Sequence, residues 1–162
     1  MRGLPLVVAA LVIRLLLRAG GPFHWTWLSP AAPALDAAAY LCLLAALLSN
    51  RHVRGWSLLF SGLAANLLAM VANGLKMPVS LPAMQRVGIG TATITAGEEL
   101  GHRVLTASSR LPWLADIIPL PKPLFGIVIS PGDVLLALGI FAVAQALLRP
   151  GPARPRMAHL RL

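Results

Sequence analysis

Four apolar stretches separated by turn-forming residues constrain the fold of this chain more than any other feature. They cover residues 4–17, 31–48, 56–72 and 134–148, and the last two contain no charged residue. Only 12% of the chain is charged, against about 25% in an ordinary soluble domain. Because there is too little charge to give four apolar helices a polar outer face, the pattern predicts a helical bundle in a lipid bilayer.

The expected fold is an all-α membrane protein that forms a single polytopic domain over residues 1–162. Its transmembrane helices, about four in number, are expected at about residues 4–18, 31–49, 56–73 and 131–148. None of the apolar stretches reaches the usual uninterrupted span of about 20 residues, so flanking residues must complete each crossing. A long, proline-rich and partly helical loop is expected at residues 73–130, and a basic tail at residues 149–162.

The basic residues predict the orientation of the chain. Lys and Arg concentrate in short cytoplasmic loops, and the turn at residues 49–55 contains Arg51 and Arg54. The tail, residues 149–162, adds four arginines and no acid, whereas the aromatic segment 23–27 suits the opposite membrane interface. We therefore expect a multi-pass protein of the cell (inner) membrane with both termini in the cytoplasm and the long loop outside.

The net charge of +9 does not indicate a nucleic-acid-binding protein. The basic residues are dispersed, whereas nucleic-acid binding requires a basic patch or stripe. The expected partners are the lipid bilayer and a membrane protein or a second copy of this chain. A single cysteine, Cys42, excludes an internal disulfide. Glu99 and His102 have the Glu-x-x-His spacing of di-iron bundles, but those need two copies, so we expect no metal and no cofactor.

Small residues at helical spacing predict a packing face on the third helix. Gly62, Ala65 and Ala69 recur three to four positions apart, and such residues let two backbones approach closely in lipid. Asn66 lies among them near mid-membrane, where its amide requires a partner, and a hydrogen bond to a neighbouring helix suffices. Arg14 interrupts the first stretch and is expected to snorkel to the outer surface; the alternative is an ion pair with Asp36.

The long loop contains three helix-start signals. Ser80 is a candidate N-cap for a short helix that ends at Gly88. Residues 111–118 predict a second short helix, which begins at a proline and has an apolar face against the bilayer or the bundle. Ser130 is a candidate N-cap for the last long helix, with Asp133 in its first turn, where negative charge is favoured.

We expect the loop to fold over the outer ends of the third and fourth helices, because its prolines stiffen it and its apolar segments need a surface to bury. This arrangement assembles a candidate binding site from Asn73, Lys76, Met77, Trp113, Asp116 and Asp133. Its polar centre is Lys76 with Asp116 or Asp133. We favour an ion pair that pins the loop, since ion pairs are commonly structural; the alternative is a small outward-facing binding pocket.

Three segments resemble a family of small bacterial membrane proteins. They are residues 73–80 (NGLKMPVS), which follow the helix with Asn66, residues 110–121 (RLPWLADIIPLP), and residues 130–133 (SPGD). On these motifs, and over about residues 40–148, the chain resembles the domain of unknown function DUF5317. The resemblance implies a polytopic membrane protein and supplies no catalytic residue.

No phosphate-binding loop, HExxH pair, CxxC pair or nucleophile elbow occurs in the sequence, so no catalytic residue is assigned. The first-ranked hypothesis is a non-enzymatic accessory or assembly component that presents the ordered loop to a partner. The second is a small-molecule binder or transporter with a pocket at the outer face. The third is an extracytoplasmic membrane enzyme, whose site would draw on Lys76, Glu98, Glu99, His102 and Asp116.

Overall fold

The computed structural model describes residues 3–20, 30–95, 101–123 and 125–148. The aromatic segment 23–27, Glu98, Glu99 and the tail 149–162 lie outside the described residues. The α-helices, in chain order, are α1 (Leu4–Gly20), α2 (Ala32–Leu48), α3 (Trp56–Ala72), α4 (Leu81–Arg86), α5 (Ala92–Thr95) and α6 (Pro131–Leu148). The four long helices pack in chain order, with α1 on α2, α2 on α3, and α3 on α6.

The chain is mostly helical, but the expectation of an all-α protein is wrong for the loop. This region contains β1 (Met77–Val79), β2 (His102–Val104), β3 (Ile118–Leu120) and β4 (Ile127–Ile129). β1 pairs with β2 in parallel, and β3 pairs with β4 in antiparallel fashion. Two of these short strands contain a proline, which interrupts helix formation, and their β-branched residues pack well on a pleated surface.

The helix predicted over residues 111–118 is limited to one 3₁₀ turn, Pro112–Leu114. The backbone is extended from Ala115 onward, because Asp116 pairs with β1 rather than with the preceding turn. Asp116 N donates to Pro78 O at 2.9 Å, and Ser80 N donates to Asp116 O at 2.9 Å. By contrast, Ser80 caps α4 as predicted, with its hydroxyl accepting from Ala83 N at 3.4 Å.

The contact between α3 and α6 depends on glycines. A Cβ added at Gly62 would lie 2.6 Å from the carbonyl oxygen of Gly132, and one added at Gly139 would lie 2.7 Å from Leu59 Cγ. Gly62, Asn66 and Ala69 are buried in α3, whereas Ala65 is half-buried and Ser61, which continues the row of Ala65 and Ala69, is exposed. The packing face is therefore rotated toward Gly62 and Asn66, since backbone contact is closest at the glycine.

Large apolar side chains are exposed on all four long helices. The exposed fraction is 57% for Leu11 of α1, 57% for Leu41 of α2, 55% for Val71 of α3 and 62% for Ile140 of α6. Of the described helices, α6 is the one long and apolar enough to cross a membrane by length and composition. The other three long helices are apolar but slightly shorter.

Candidate functional site

A cavity of about 240 Å³ lies at the end of the bundle where α3 ends and α6 begins. The long helices supply its polar lining on one side, namely Arg14 from α1, Asp36 and Tyr40 from α2, Asn66 from α3 and Asp133 from α6. The loop covers the cavity with Met77, Gly101, His102, Asp116 and Val128. Side chains from every long helix and from the loop therefore converge on one space.

Asn66 and Asp133 form the centre of a hydrogen-bond network between α3 and α6. Asn66 Nδ2 donates to Asp133 Oδ1 at 2.8 Å, and the Ser130 hydroxyl lies 2.8 Å from Asn66 Oδ1. Asp133 Oδ2 also accepts from Ser130 N at 2.9 Å, and Asp133 N donates to Ser130 Oγ at 3.0 Å. This reciprocal capping explains why α6 begins here and fixes the Asp133 carboxylate against the cavity.

Arg14 and Asp36 form an ion pair across α1 and α2. Arg14 Nη2 lies 3.2 Å from Asp36 Oδ1, and the guanidinium lies 4.3 Å from the centroid of the Tyr40 ring. The carboxylate and the aromatic face both favour the guanidinium charge. Arg14 is therefore directed into the bundle, toward the partner that the sequence offered as the alternative, rather than outward along the helix.

The segments that carry Asp116 and His102 pair with the two edges of β1, one on each edge. Met77 pairs with His102 in β2, and Val79 pairs with Asp116. Because laterally paired residues, and residues two apart along a strand, share one face of a sheet, the two side chains project together over Met77 and Val79. His102 Nε2 lies 3.6 Å from Asp116 Oδ2.

The Asp116 carboxyl, in the loop, is strongly affected by its surroundings. Its side chain is only 10% exposed. Burial raises its pKa to about 7; the charge of His102 acts to lower it, and that of Asp133 acts to raise it. Near neutral pH the carboxyl is therefore divided between its protonated and ionised forms.

Asn73 attaches the loop to the end of α3. Its Nδ2 donates to Ala69 O and to Arg110 O, both at 2.8 Å, and its Oδ1 accepts from Arg110 N at 2.9 Å. Arg103 Nη1 donates to Asn73 O at 3.3 Å. Leu114, in the 3₁₀ turn, packs against the cluster of Met70 and its neighbours. The loop is therefore folded over the ends of α3 and α6.

The residues of the sequence-based site fall into different places. Met77, Asp116 and Asp133 line the cavity, whereas Asn73 is used to hold the loop. Lys76 is half-buried and does not line the cavity; the basic side chain that the structure places beside Asp116 is His102. Trp113 is 62% exposed. The pairing of Lys76 with Asp116 or Asp133 stays a prediction, and the basic group that the structure shows beside Asp116 is the His102 imidazole of β2.

Sequence reasoning left Arg14, Asp36, Tyr40 and His102 out of the binding site. A signal existed for the first two, since each is a charge inside an apolar stretch, and such charges commonly face a bundle interior. Nothing in the sequence distinguishes Tyr40 from an interfacial tyrosine. His102 was considered in the Glu-x-x-His spacing with Glu99 and in the third-ranked hypothesis of an enzyme, where it was grouped with Asp116. Among the described residues, no group of three or more His, Cys, Asp or Glu side chains is arranged to hold a metal ion.

Comparison with known proteins places the chain among proteins of unknown activity. The model of DUF5317, described as a family of unknown function, matches residues 1–145. An uncharacterized protein of Thermotoga maritima is 34% identical over 94 residues, which is 57% of this chain and 51% of that protein. The chain therefore matches about half the length of this relative. No solved structure matches the chain significantly.

Proposed function

We propose that this chain, which belongs to the DUF5317 family, binds a small polar molecule in the cavity at one end of a membrane-spanning helix bundle. One observation carries the proposal: ionisable side chains from α1, α2, α6 and the loop converge on a single space of about 240 Å³. Asp116 is buried, with 10% of its side chain exposed, and removing a carboxylate from water is costly. Because an apolar core of similar volume is often as stable or more so, the convergence of these ionisable groups on one cavity supports a binding role.

The exposed apolar side chains support the membrane assignment. They occur on all four long helices, where contact with lipid requires no polar cover. α1, α2 and α3 each have 17 residues, and flanking residues and local bilayer thinning complete spans of that length. The basic turn with Arg51 and Arg54 lies at the opposite end of the bundle from the cavity. We therefore assign the cavity to the extracytoplasmic side.

The cavity volume limits the size of the ligand. Since a water molecule occupies about 30 Å³ in the liquid, a space of about 240 Å³ accommodates roughly eight non-hydrogen atoms. Ordinary ligand pockets start at about 300 Å³, so the ligand is at the lower end of the usual range. Its recognition must depend mainly on polar contacts, because so small a molecule buries little apolar area.

The proposal is tested by filling the cavity. Gly101 lines it, and a Cβ added there meets no heavy atom within 4 Å. Gly101→Leu is expected to occupy the cavity and to abolish the thermal stabilisation that a pool of small polar metabolites gives the full chain in nanodiscs. Gly90→Leu, at an equally open position outside the cavity, should retain it. If no small polar molecule stabilises the unmodified protein, the proposed function is wrong.

A second candidate function is the accessory role, in which the loop docks a membrane partner. The observation that favours it is the exposure of two large aromatic side chains of the loop, Trp113 at 62% and Phe125 at 64%. Exposed aromatic residues are typical anchors of protein interfaces. For this function, Trp113→Ala should reduce recovery of a partner crosslinked in native membranes. By contrast, Gly101→Leu, which fills the cavity, should leave the recovery of this partner unchanged.

A further inference from the structure

We propose that the ligand of this cavity carries a small ammonium group, and that the Asp116 carboxylate binds it. The inference rests on the proposed function and narrows it to one class of ligand, the small primary amines and amino acids. The three carboxylates of the described residues that line the cavity, Asp36, Asp116 and Asp133, differ in how they are bonded within the protein.

Two of the three carboxylates already have donors. Asp36 faces the Arg14 guanidinium at 3.2 Å. Asp133 accepts from Asn66 Nδ2 at 2.8 Å and from Ser130 N at 2.9 Å, and the Ser130 hydroxyl lies 2.9 Å away. Both carboxylates are therefore compensated without a ligand, and Asp133 has a structural role in starting α6.

Asp116 differs from them. No described residue donates a hydrogen bond to its carboxylate, and the nearest basic group, His102 Nε2, lies 3.6 Å away, beyond hydrogen-bonding range. Its backbone is held by two hydrogen bonds: Asp116 N donates to Pro78 O, and Asp116 O accepts from Ser80 N. The side chain is only 10% exposed and lines the cavity, so its charged form is stabilised when a cation binds beside it.

The cavity favours a cation over an anion. Among the described residues, three carboxylates line it and Arg14 is the permanent cation, which is already held between Asp36 and the Tyr40 ring. An anion would have to displace Asp36 from Arg14, whereas an ammonium group can approach the Asp116 carboxylate, whose basic neighbour His102 lies 3.6 Å away, beyond hydrogen-bonding range. Ammonium is also compact and offers three donors, which suits a space of this size.

A proton competes with the ammonium group for Asp116. The titratable and charged groups that face this carboxylate across the cavity are His102 from β2, Asp133 from α6, and the Arg14–Asp36 pair with Tyr40 from α1 and α2. Since burial raises the pKa of Asp116 to about 7, the fraction of ionised carboxylate increases about tenfold between pH 6 and pH 8.

The experiment uses the full chain in nanodiscs and titrates it with propylamine, alanine and propionate, which share a short aliphatic chain and differ in charge. Propylamine is expected to bind, and about tenfold more tightly at pH 8 than at pH 6. Asp116→Asn should abolish this binding, whereas Gln85→Lys, an exposed position on α4 that gives the same change in net charge, should leave it intact. Binding of alanine in addition to propylamine would identify amino acids as the natural source of the ammonium group.

Three results would overturn the inference. They are propionate binding more tightly than propylamine, propylamine binding that is independent of pH in the unmodified protein, and no binding of either amine. The pH titration of the unmodified protein keeps the test decisive even if Asp116→Asn does not fold. If propionate binds and Gly101→Leu blocks it, the binding function stands and only the ligand class is wrong.

Discussion

Asn66 is buried in the contact between α3 and α6, where it donates to Asp133 and lies within hydrogen-bonding distance of Ser130. An amide group can do both at once, because it carries a donor and an acceptor on one planar group. No other side chain of similar volume offers this combination. Asn66 thus contributes both to the packing of α3 on α6 and to the lining of the cavity.

Asn66→Leu is expected to lower the free energy of unfolding by about 1–3 kcal/mol, because Asp133 and Ser130 would each lose a buried partner. Reversible unfolding in mixed detergent micelles measures the change. Gln145→Leu, at an exposed position of α6, is the matched control and should be neutral or stabilising. A loss as large in the control as in Asn66→Leu would show that the network contributes nothing specific.

Asp116 should make stability depend on pH. Because its folded pKa of about 7 lies above the ordinary value of 3.8, the folded protein holds this proton more tightly than the unfolded chain does. That contribution is complete below about pH 4 and is lost as the pH rises to about 7, with a slope of up to about 1.4 kcal/mol per pH unit. Asp116→Asn should lack this slope between pH 5 and pH 7, whereas Gln85→Lys should retain it. Parallel profiles for Asp116→Asn and the unmodified protein would contradict the assignment.

At the scale of elements, the contact of α3 with α6 determines where the cavity lies. The two helices approach so closely at Gly62 and Gly132 that an added Cβ meets backbone atoms of the other helix. Backbone atoms move only if the whole helix moves, unlike the end of a flexible side chain. The close approach also brings Asn66 within reach of Asp133, so packing and polar contact depend on each other.

Gly62→Ala is therefore expected to be destabilising although alanine favours helices, because the two backbones must separate. We expect a loss of about 1–3 kcal/mol, together with weaker ligand binding as Asn66 and Asp133 move apart. Gly90→Ala, where the added atom meets no heavy atom within 4 Å, should cost little. Equal melting temperatures for the two variants would show that the α3–α6 contact adapts without cost.

At the scale of the whole molecule, charge and polarity are divided between the two ends of the bundle. The cavity, with Arg14, Asp36 and Asp133, lies at the end covered by the loop. The turn between α2 and α3, with Arg51 and Arg54, lies at the other end. In the orientation that we propose from basic residues in short loops, the cavity would open on the extracytoplasmic side.

Reporter fusions test this orientation. Fusions after His52 and after Leu162 are expected to report the cytoplasm, and a fusion after Arg86, in α4, is expected to report the extracytoplasmic side. The same fusion proteins are expected to remain in the membrane fraction after alkaline washing, as integral membrane proteins do. A cytoplasmic signal at Arg86 would reverse the proposed access to the cavity while leaving its geometry unchanged.

The sequence by itself determined the features that depend on neighbouring residues. Apolar runs located the four long helices, and Ser80 predicted the start of α4, because capping and burial patterns act within a few positions. Ser130 and Asp133 likewise marked the start of α6. The three segments that resemble DUF5317 identified the family, which the match over residues 1–145 shows.

Only the tertiary structure decided which polar groups meet. Asn66 and Asp133 are 67 positions apart, and the contacts of Arg14 with Asp36 and of His102 with Asp116 likewise depend on how the helices pack and how the loop returns. The strands were missed for the same reason, since β1 forms only where two distant segments supply its hydrogen-bonding partners. Short-range propensity cannot specify such pairings, because their energies arise from burial and from donors that the folded chain alone brings together.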